Sequence, residues 1–195
     1  NIESYLDDIN KTVAEYQQNY VRVPFANTNL VNLQNNMNGG FAGGRFYLFG
    51  GIPSSGKTVL LNNIADNICL NGYPVLFFSF DDGRAELRYR SLSRFSNQSI
   101  EDFNLRTVPD IRSVWNLPSI QQIINKKYVV QQMIFIEKWD ELITAIKQIH
   151  GKAPVIIIDY LRKLRTEKSS SEERLRVDNI LSKLTEANVL IEVFY

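Results

Sequence analysis

The segment Gly51-Ile52-Pro53-Ser54-Ser55-Gly56-Lys57-Thr58 spells G-x-x-x-x-G-K-T between an apolar run and a helical pattern. The run is Phe46-Tyr47-Leu48-Phe49; the pattern is Val59-Leu60-Leu61, then Ile64-Ala65 and Ile68-Cys69. Strand, glycine loop and helix in that order are the context of a phosphate loop. The backbone N–H groups of such a loop wrap around a polyphosphate, and the new helix adds the partial positive charge of its N-terminus. Gly51 and Gly56 let the backbone approach with no Cβ in the way. The candidate nucleotide-binding residues are Gly51, Ser54, Ser55, Gly56, Lys57, Thr58 and Val59. Lys57 is the catalytic candidate that reaches the β- and γ-phosphates, and the Thr58 hydroxyl is a candidate ligand for Mg²⁺. A chance glycine-serine turn would not have both flanks in register.

The rest of the chain alternates strand and helix patterns. Pro74 opens the run Val75-Leu76-Phe77-Phe78, and Val155-Ile156-Ile157-Ile158 is a second such run. Continuous apolar runs of this length read as strands buried on both faces. Helices are expected over residues 2–20, 84–95, 119–130, 138–150 and 172–187, with a short one near 30–37. Strands are also expected over 45–50, 133–136 and 189–195, and residues 96–118 show little periodicity. The helix over 138–150 is expected to bury Trp139, Leu142, Ile143, Ile146 and Ile149 on one face. The fold class is therefore α/β, a parallel twisted sheet with helices on both faces. Two units are expected: an N-terminal helix over residues 1–22, striped with Ile2, Leu6, Ile9, Val13 and Tyr16, that could belong to a neighbouring domain or protomer, and an α/β domain over 23–195.

Composition narrows the class. The 195 residues are 44 % hydrophobic and 22 % charged, which suits a soluble globular domain. No stretch approaches the roughly 18 apolar residues of a membrane span. The net charge of +1 neither implies nor excludes nucleic acid. The single cysteine, Cys69, lies on an apolar helix side and excludes an internal disulfide, in keeping with a reducing cytosol and a cytoplasmic location. The N-terminus, Asn1-Ile2-Glu3, has no apolar core of a signal peptide and no initiator Met, so the chain is expected to be part of a longer protein.

Three groups of charged residues bear on chemistry. Asp159 ends the most apolar strand, where parallel sheets place their ligands, and is the candidate Mg²⁺-orienting acid; a strand-end turn is the alternative. Asp81 and Asp82 end the strand beginning at Val75. If that strand lies beside the phosphate-loop strand, one of them faces the γ-phosphate as a general base; both also suit turn and N-cap chemistry. Arg162, Lys163, Arg165 and Lys168, followed by Ser169-Ser170-Ser171, form a candidate DNA-binding stretch or a solvated surface. A second basic group, Arg84, Arg88, Arg90 and Arg94, suits a surface or subunit contact at least as well, with Glu86 and Arg90 spaced to pair. His150, before Gly151, reads as a helix C-terminal cation, and no Cys/His cluster suggests zinc.

Together these motifs resemble the RecA-like ATPase domain of replicative DnaB-type helicases. Beyond the phosphate loop, Val75-Leu76-Phe77-Phe78-Ser79-Phe80-Asp81 resembles that family's strand ending in Ser-Leu-Glu, with Leu87 and Arg90 at matching spacing. Val155-Ile156-Ile157-Ile158-Asp159-Tyr160-Leu161 is close to its Ile-Asp-Tyr-Leu segment, and Asn188-Val189 enters a final strand. The resemblance implies a RecA-like P-loop NTPase fold with ATP and Mg²⁺ as cofactors. It makes Asp159 the Walker-B acid and puts Asp81 in the place of the catalytic glutamate. It makes 166–173 a first DNA-facing loop and the N-terminal helix a linker packing on the next subunit. Single-stranded DNA, a hexameric homo-oligomer, and a helicase loader or primase are the implied partners.

Three departures matter. Asp81 is one methylene shorter than Glu, Arg162 replaces the family's Gln, and the chain ends at Tyr195 before a γ-phosphate sensor, a second DNA loop and an arginine finger. Two rivals follow from them. One is a RecA- or KaiC-like ATPase that does not unwind DNA; the other is a non-hydrolysing nucleotide-binding adaptor or helicase loader.

Overall fold

A computed structural model describes residues 2–19, 22–133, 135, 138–160, 163–164 and 192–194. Its centre is a five-stranded parallel sheet. The strands are β3 (Leu48–Gly50), β4 (Val75–Ser79), β5 (Lys127–Val130), β6 (Val155–Asp159) and β7 (Glu192–Phe194), in the spatial order β3-β7-β6-β4-β5. In the register of β4 and β6, Val75 lies opposite Val155 and Ser79 opposite Asp159. A small antiparallel pair, β1 (Arg22–Val23) and β2 (Phe41–Ala42), precedes the sheet.

The apolar runs of β4 and β6 feed two cores because successive side chains of a strand point to opposite faces. Val75, Phe77, Val155 and Ile157 pack on one side with Leu61, Ile64 and Ile68 of α3 (Lys57–Leu70). Leu76, Phe78, Ile156 and Ile158 pack on the other with Trp139 and Ile146 of α8 (Trp139–His150). Trp139 stacks on Phe78 with ring centroids 3.8 Å apart, so the first turn of α8 is anchored on β4. Cys69 is buried among the α3 contacts, and burial pushes its thiol pKa up. Both faces of the sheet are covered, as the alternation of strands and helices requires.

Several expected elements differ. The phosphate-loop strand is three residues, Leu48–Gly50, because Tyr47 leaves the ladder and its hydroxyl accepts from the Ala42 N–H at 2.9 Å. The helix expected over 119–130 is α7 (Pro118–Lys126), and 127–130 is the edge strand β5. Pairing with β4 over Val75–Phe78 draws these residues out of the helix. Residues 96–118 hold two short helices, α5 (Ile100–Leu105) and α6 (Ile111–Trp115). Ser99 and Asp102 form a capping box at the first, and Asp110 caps the second. Ile149 is 69 % exposed rather than part of the buried face of α8. The strand candidate at 133–136 is described only at Met133 and Phe135, and the helix at 172–187 lies outside the described residues.

The first helix, α1 (Ile2–Asn19), forms where the 3.6-residue pattern expects it, but the part of its stripe from Ile2 to Val13 is not covered. Ile2, Leu6, Ile9 and Val13 are all exposed, as is Tyr5. The helix α2 (Val31–Asn36) lies near 30–37 as expected, and α4 spans Arg84–Ser96.

Candidate nucleotide site

The loop after β3 is solvent-exposed from Gly51 to Gly56. Gly56 sits at φ +86° and hands the chain into α3, a conformation that a residue with Cβ adopts only under strain. A Cβ on Gly51 would come within 2.8 Å of Ser55 Oγ, so that position keeps the loop tight. The first-turn N–H groups of α3 have no intrahelical acceptors. Lys57 Nζ donates to Gly51 O at 2.9 Å and Ile52 O at 2.6 Å, folding its ammonium across the loop. Phosphate oxygens are the same kind of acceptor for an ammonium.

Thr58, in the first turn of α3, lies close enough to the Asp159 carboxylate to lower its pKa. Asp159 is 2 % exposed, and its Oδ2 has no hydrogen-bond partner among the described residues. Burial raises its pKa from 3.8, against the lowering effect of nearby Thr58; Asp82 and Asp81 add to the rise, and Lys57 opposes it. A buried carboxylate oxygen lacking a partner beside a threonine hydroxyl is a donor set of hard oxygens that suits Mg²⁺. The fit therefore rests on the chemistry of Thr58 and Asp159 themselves.

The end of β4 reaches the same place by a different route from the one expected. β4 does not lie beside β3; β6 and β7 separate them. Instead β4 neighbours β6, and the Phe80 N–H donates to Asp159 O at 2.8 Å. Asp81 and Asp82 are thereby close enough to Asp159 to act on its proton. Asp81 is exposed, whereas Asp82 is partly buried and ion-paired with Arg90 at 3.3 Å. The structure thus brings together Lys57, Thr58, Asp159 and the Asp81-Asp82 turn.

The basic residues separate into different roles. Lys163 is exposed, with Nζ 6.0 Å from the Tyr160 ring centroid; Arg162, Arg165 and Lys168 lie outside the described residues. Arg84 donates to Val129 O at 3.0 Å, and Arg88 lies 5.8 Å over the Trp115 ring. Arg94 turns inward, donating to Asn67 Oδ1 at 2.7 Å, so that helix does not present a continuous basic stripe. Tyr128 Oη is 2.8 Å from His150 Nε2, a structural contact on the far side of the sheet's edge. A cavity of about 280 Å³ between α4, α7 and β5 is lined by Ser91, Ile120, Lys127 and Leu142 among others, and touches none of the loop residues.

Sequence reasoning missed the buried polar cluster behind the loop. Asp66 of α3 is fully buried and meets Lys127 Nζ of β5 at 2.7 Å. The partners are 61 residues apart, and only the fold joins them. A polar residue recurring on the apolar side of α3, at Asn62 and Asp66, was the available signal.

Residues 26–189 match the family described as the DnaB-like helicase C terminal domain. The chain belongs to that family. A probable replicative DNA helicase of Guillardia theta is 26 % identical over 68 % of this chain, which spans 23 % of that relative's length. Two solved structures share the fold over 99 % of this chain. One is the ATPase domain of G40P, with a TM-score of 0.71, 19 % identity and 70 % of its chain covered. The other is a DnaB-like replicative helicase described with its interactions with primase, with a TM-score of 0.76, 20 % identity and 47 % of its chain covered. The fold is accordingly the RecA-like α/β fold of DnaB-family ATPase domains. Among the described residues no helix is long and apolar enough to cross a membrane.

Proposed function

We propose that this chain is the ATP-binding and ATP-hydrolysing motor unit of a DnaB-like replicative helicase, coupling hydrolysis to movement on single-stranded DNA in the cytoplasm. The observation that carries the reading is Asp159: a buried carboxylate with an open oxygen, beside Thr58, in a member of the DnaB-like C-terminal family. Gly51, Ser54, Ser55, Gly56 and Val59 cradle the phosphates with backbone N–H groups. Lys57 exchanges the carbonyls of Gly51 and Ile52 for phosphate oxygens and stabilises charge on the γ-phosphoryl group. Thr58 and Asp159 hold Mg²⁺, which supplies further charge neutralisation when bound. Asp81 orients the attacking water and accepts its proton.

The partners follow the family. Single-stranded DNA meets the basic segment that includes Arg162, Lys163, Arg165 and Lys168. The exposed stripe of α1 packs on a second copy in a hexameric ring, acting as a linker over residues 1–22 ahead of the ATPase domain at 23–195. A loader or primase docks on the assembled ring; the primase named for one structural relative supports this.

The test is phosphate release and fork unwinding by the intact protein, with and without single-stranded DNA. DNA-stimulated hydrolysis with unwinding is expected. Hydrolysis without unwinding would point to a RecA- or KaiC-like ATPase, and nucleotide binding without phosphate release to a loader or adaptor.

A further inference from the structure

We propose that Arg90 is a positioning residue for hydrolysis: it grips Asp82 and so sets the adjacent Asp81 against the phosphate loop. The inference rests on the assignment of Asp81 made above and adds what holds it there. Two strands separate β4 from β3, so no shared hydrogen-bond ladder indexes the Asp81-Asp82 turn to the loop. Helix α4 supplies the missing connection.

One side of α4 is tied to the loop's own helix. Asn62 Nδ2 of α3 donates to Leu87 O and Ser91 Oγ of α4, each at 3.3 Å. Ser91 Oγ lies 3.0 Å from Asp66 Oδ1, also on α3. Asn62, Asp66 and Ser91 are all buried, so this contact is shielded from water. Because α3 begins at Lys57, a helix locked to α3 is locked to the loop lysine.

The next residue along, Arg90, reaches toward the turn. Its Nη2 lies 3.3 Å from Asp82 Oδ2 and 3.3 Å from Glu86 Oε1. Ser79 Oγ donates to Asp82 O at 2.8 Å and fixes the same residue through its backbone. Of the two neighbouring carboxylates, Asp82 is thus anchored at side chain and backbone. Asp81 makes no hydrogen bond or ion pair among the described residues and stays available. The Arg90 Nε is buried with no partner among the described residues. An unsatisfied buried donor costs stability, so this guanidinium is placed for geometry rather than for cohesion.

The experiment is steady-state ATPase kinetics of the intact protein with Mg²⁺ and single-stranded DNA, paired with titration of a fluorescent ATP analogue. The variants are Arg90→Ala, Arg90→Lys, Asp82→Asn and the double Arg90→Ala/Asp82→Asn, with Asp81→Asn as the reference for loss of the base. The near-isosteric Asp82→Asn keeps the test open if Arg90→Ala folds badly. For Arg90→Ala and Asp82→Asn, kcat is expected to fall about ten- to a hundredfold, the size of a small misplacement of a reacting group. Analogue affinity should hold within about threefold. The double variant should be no slower than the slower single, because both break one link, and Arg90→Lys should recover part of the rate.

Unchanged kcat in Arg90→Ala and Asp82→Asn, beside an active wild type, overturns the inference. So does an Asp82→Asn as dead as Asp81→Asn, which would make Asp82 the base. A parallel collapse of analogue affinity in both single variants would show a merely structural link and overturn it too. Wild-type protein that binds and releases nothing fails the functional reading itself and takes the inference with it.

Discussion

Thr58 lies beside the Asp159 carboxylate and lowers its pKa against the effect of burial, although β7 stands between β6 and the phosphate-loop strand β3. That proximity brings the first turn of α3 to the end of β6. Replacing either residue, Thr58→Ala or Asp159→Asn, is expected to lower the Mg²⁺-dependent part of ATP affinity by about ten- to a hundredfold. Affinity measured in EDTA should change little. Isothermal titration with and without Mg²⁺ reads both numbers, and equal losses in the two buffers would contradict the assignment.

Asp159 also predicts a stability signature. Its native pKa is raised above 3.8, chiefly by burial, so the folded state holds this proton more tightly than the unfolded chain. Its contribution is most favourable below pH 3.8 and is lost as pH rises from there through the raised native value. Asp159→Asn carries no charge to bury. The variant should therefore melt above wild type at neutral pH, with the gap closing in acid. Thermal melts across pH check this, and a variant that melts lower at neutral pH would count against it.

The Asp66–Lys127 pair makes a third prediction. Lys127→Met leaves a buried carboxylate without its main cation, at an expected cost of about 3–5 kcal/mol. Adding Asp66→Asn should return part of that loss, because a neutral amide is cheaper to bury. Urea unfolding of the single and double variants measures it. Equal stabilities of the two would show that the ion pair carries no weight.

The exposed stripe of α1 should matter for assembly and not for folding. Leu6→Ser with Ile9→Ser touches no core, so unfolding free energy should move by no more than about 0.5 kcal/mol per site. The oligomer mass by light scattering should fall. An unchanged oligomer would leave the stripe without the proposed role.

How much of this was legible depends on where each residue's partner lies. The phosphate loop and the strands at Val75 and Val155 could be read because their signals are local: a motif, and apolar runs bounded by Pro74 and Asp159. The short helices at Ile100 and Ile111 carry too few turns for periodicity, and they are fixed by their caps at Ser99, Asp102 and Asp110. β5 was not legible, because Ile120, Ile123 and Ile124 run on into Tyr128 without a glycine or proline break. Only pairing with β4 decides that Lys127 starts a strand. The same limit hid the order of the sheet, and with it the route by which Asp81 nears Asp159. A crossover connection has no local sequence mark, so the β3–β4 adjacency on which one role of Asp81 and Asp82 was conditional could not be decided, and β6 and β7 stand between the two strands.

The central claim is that Lys57, Thr58 and Asp159 form one Mg²⁺-dependent triphosphate site. Titrating the intact protein with a fluorescent ATP analogue, with Mg²⁺ and then with excess EDTA, tests it most directly. The account predicts saturable binding that weakens when Mg²⁺ is removed and a Mg²⁺ dependence that disappears in Asp159→Asn. Binding that is absent, or that is equally tight in EDTA and in Asp159→Asn, would contradict it.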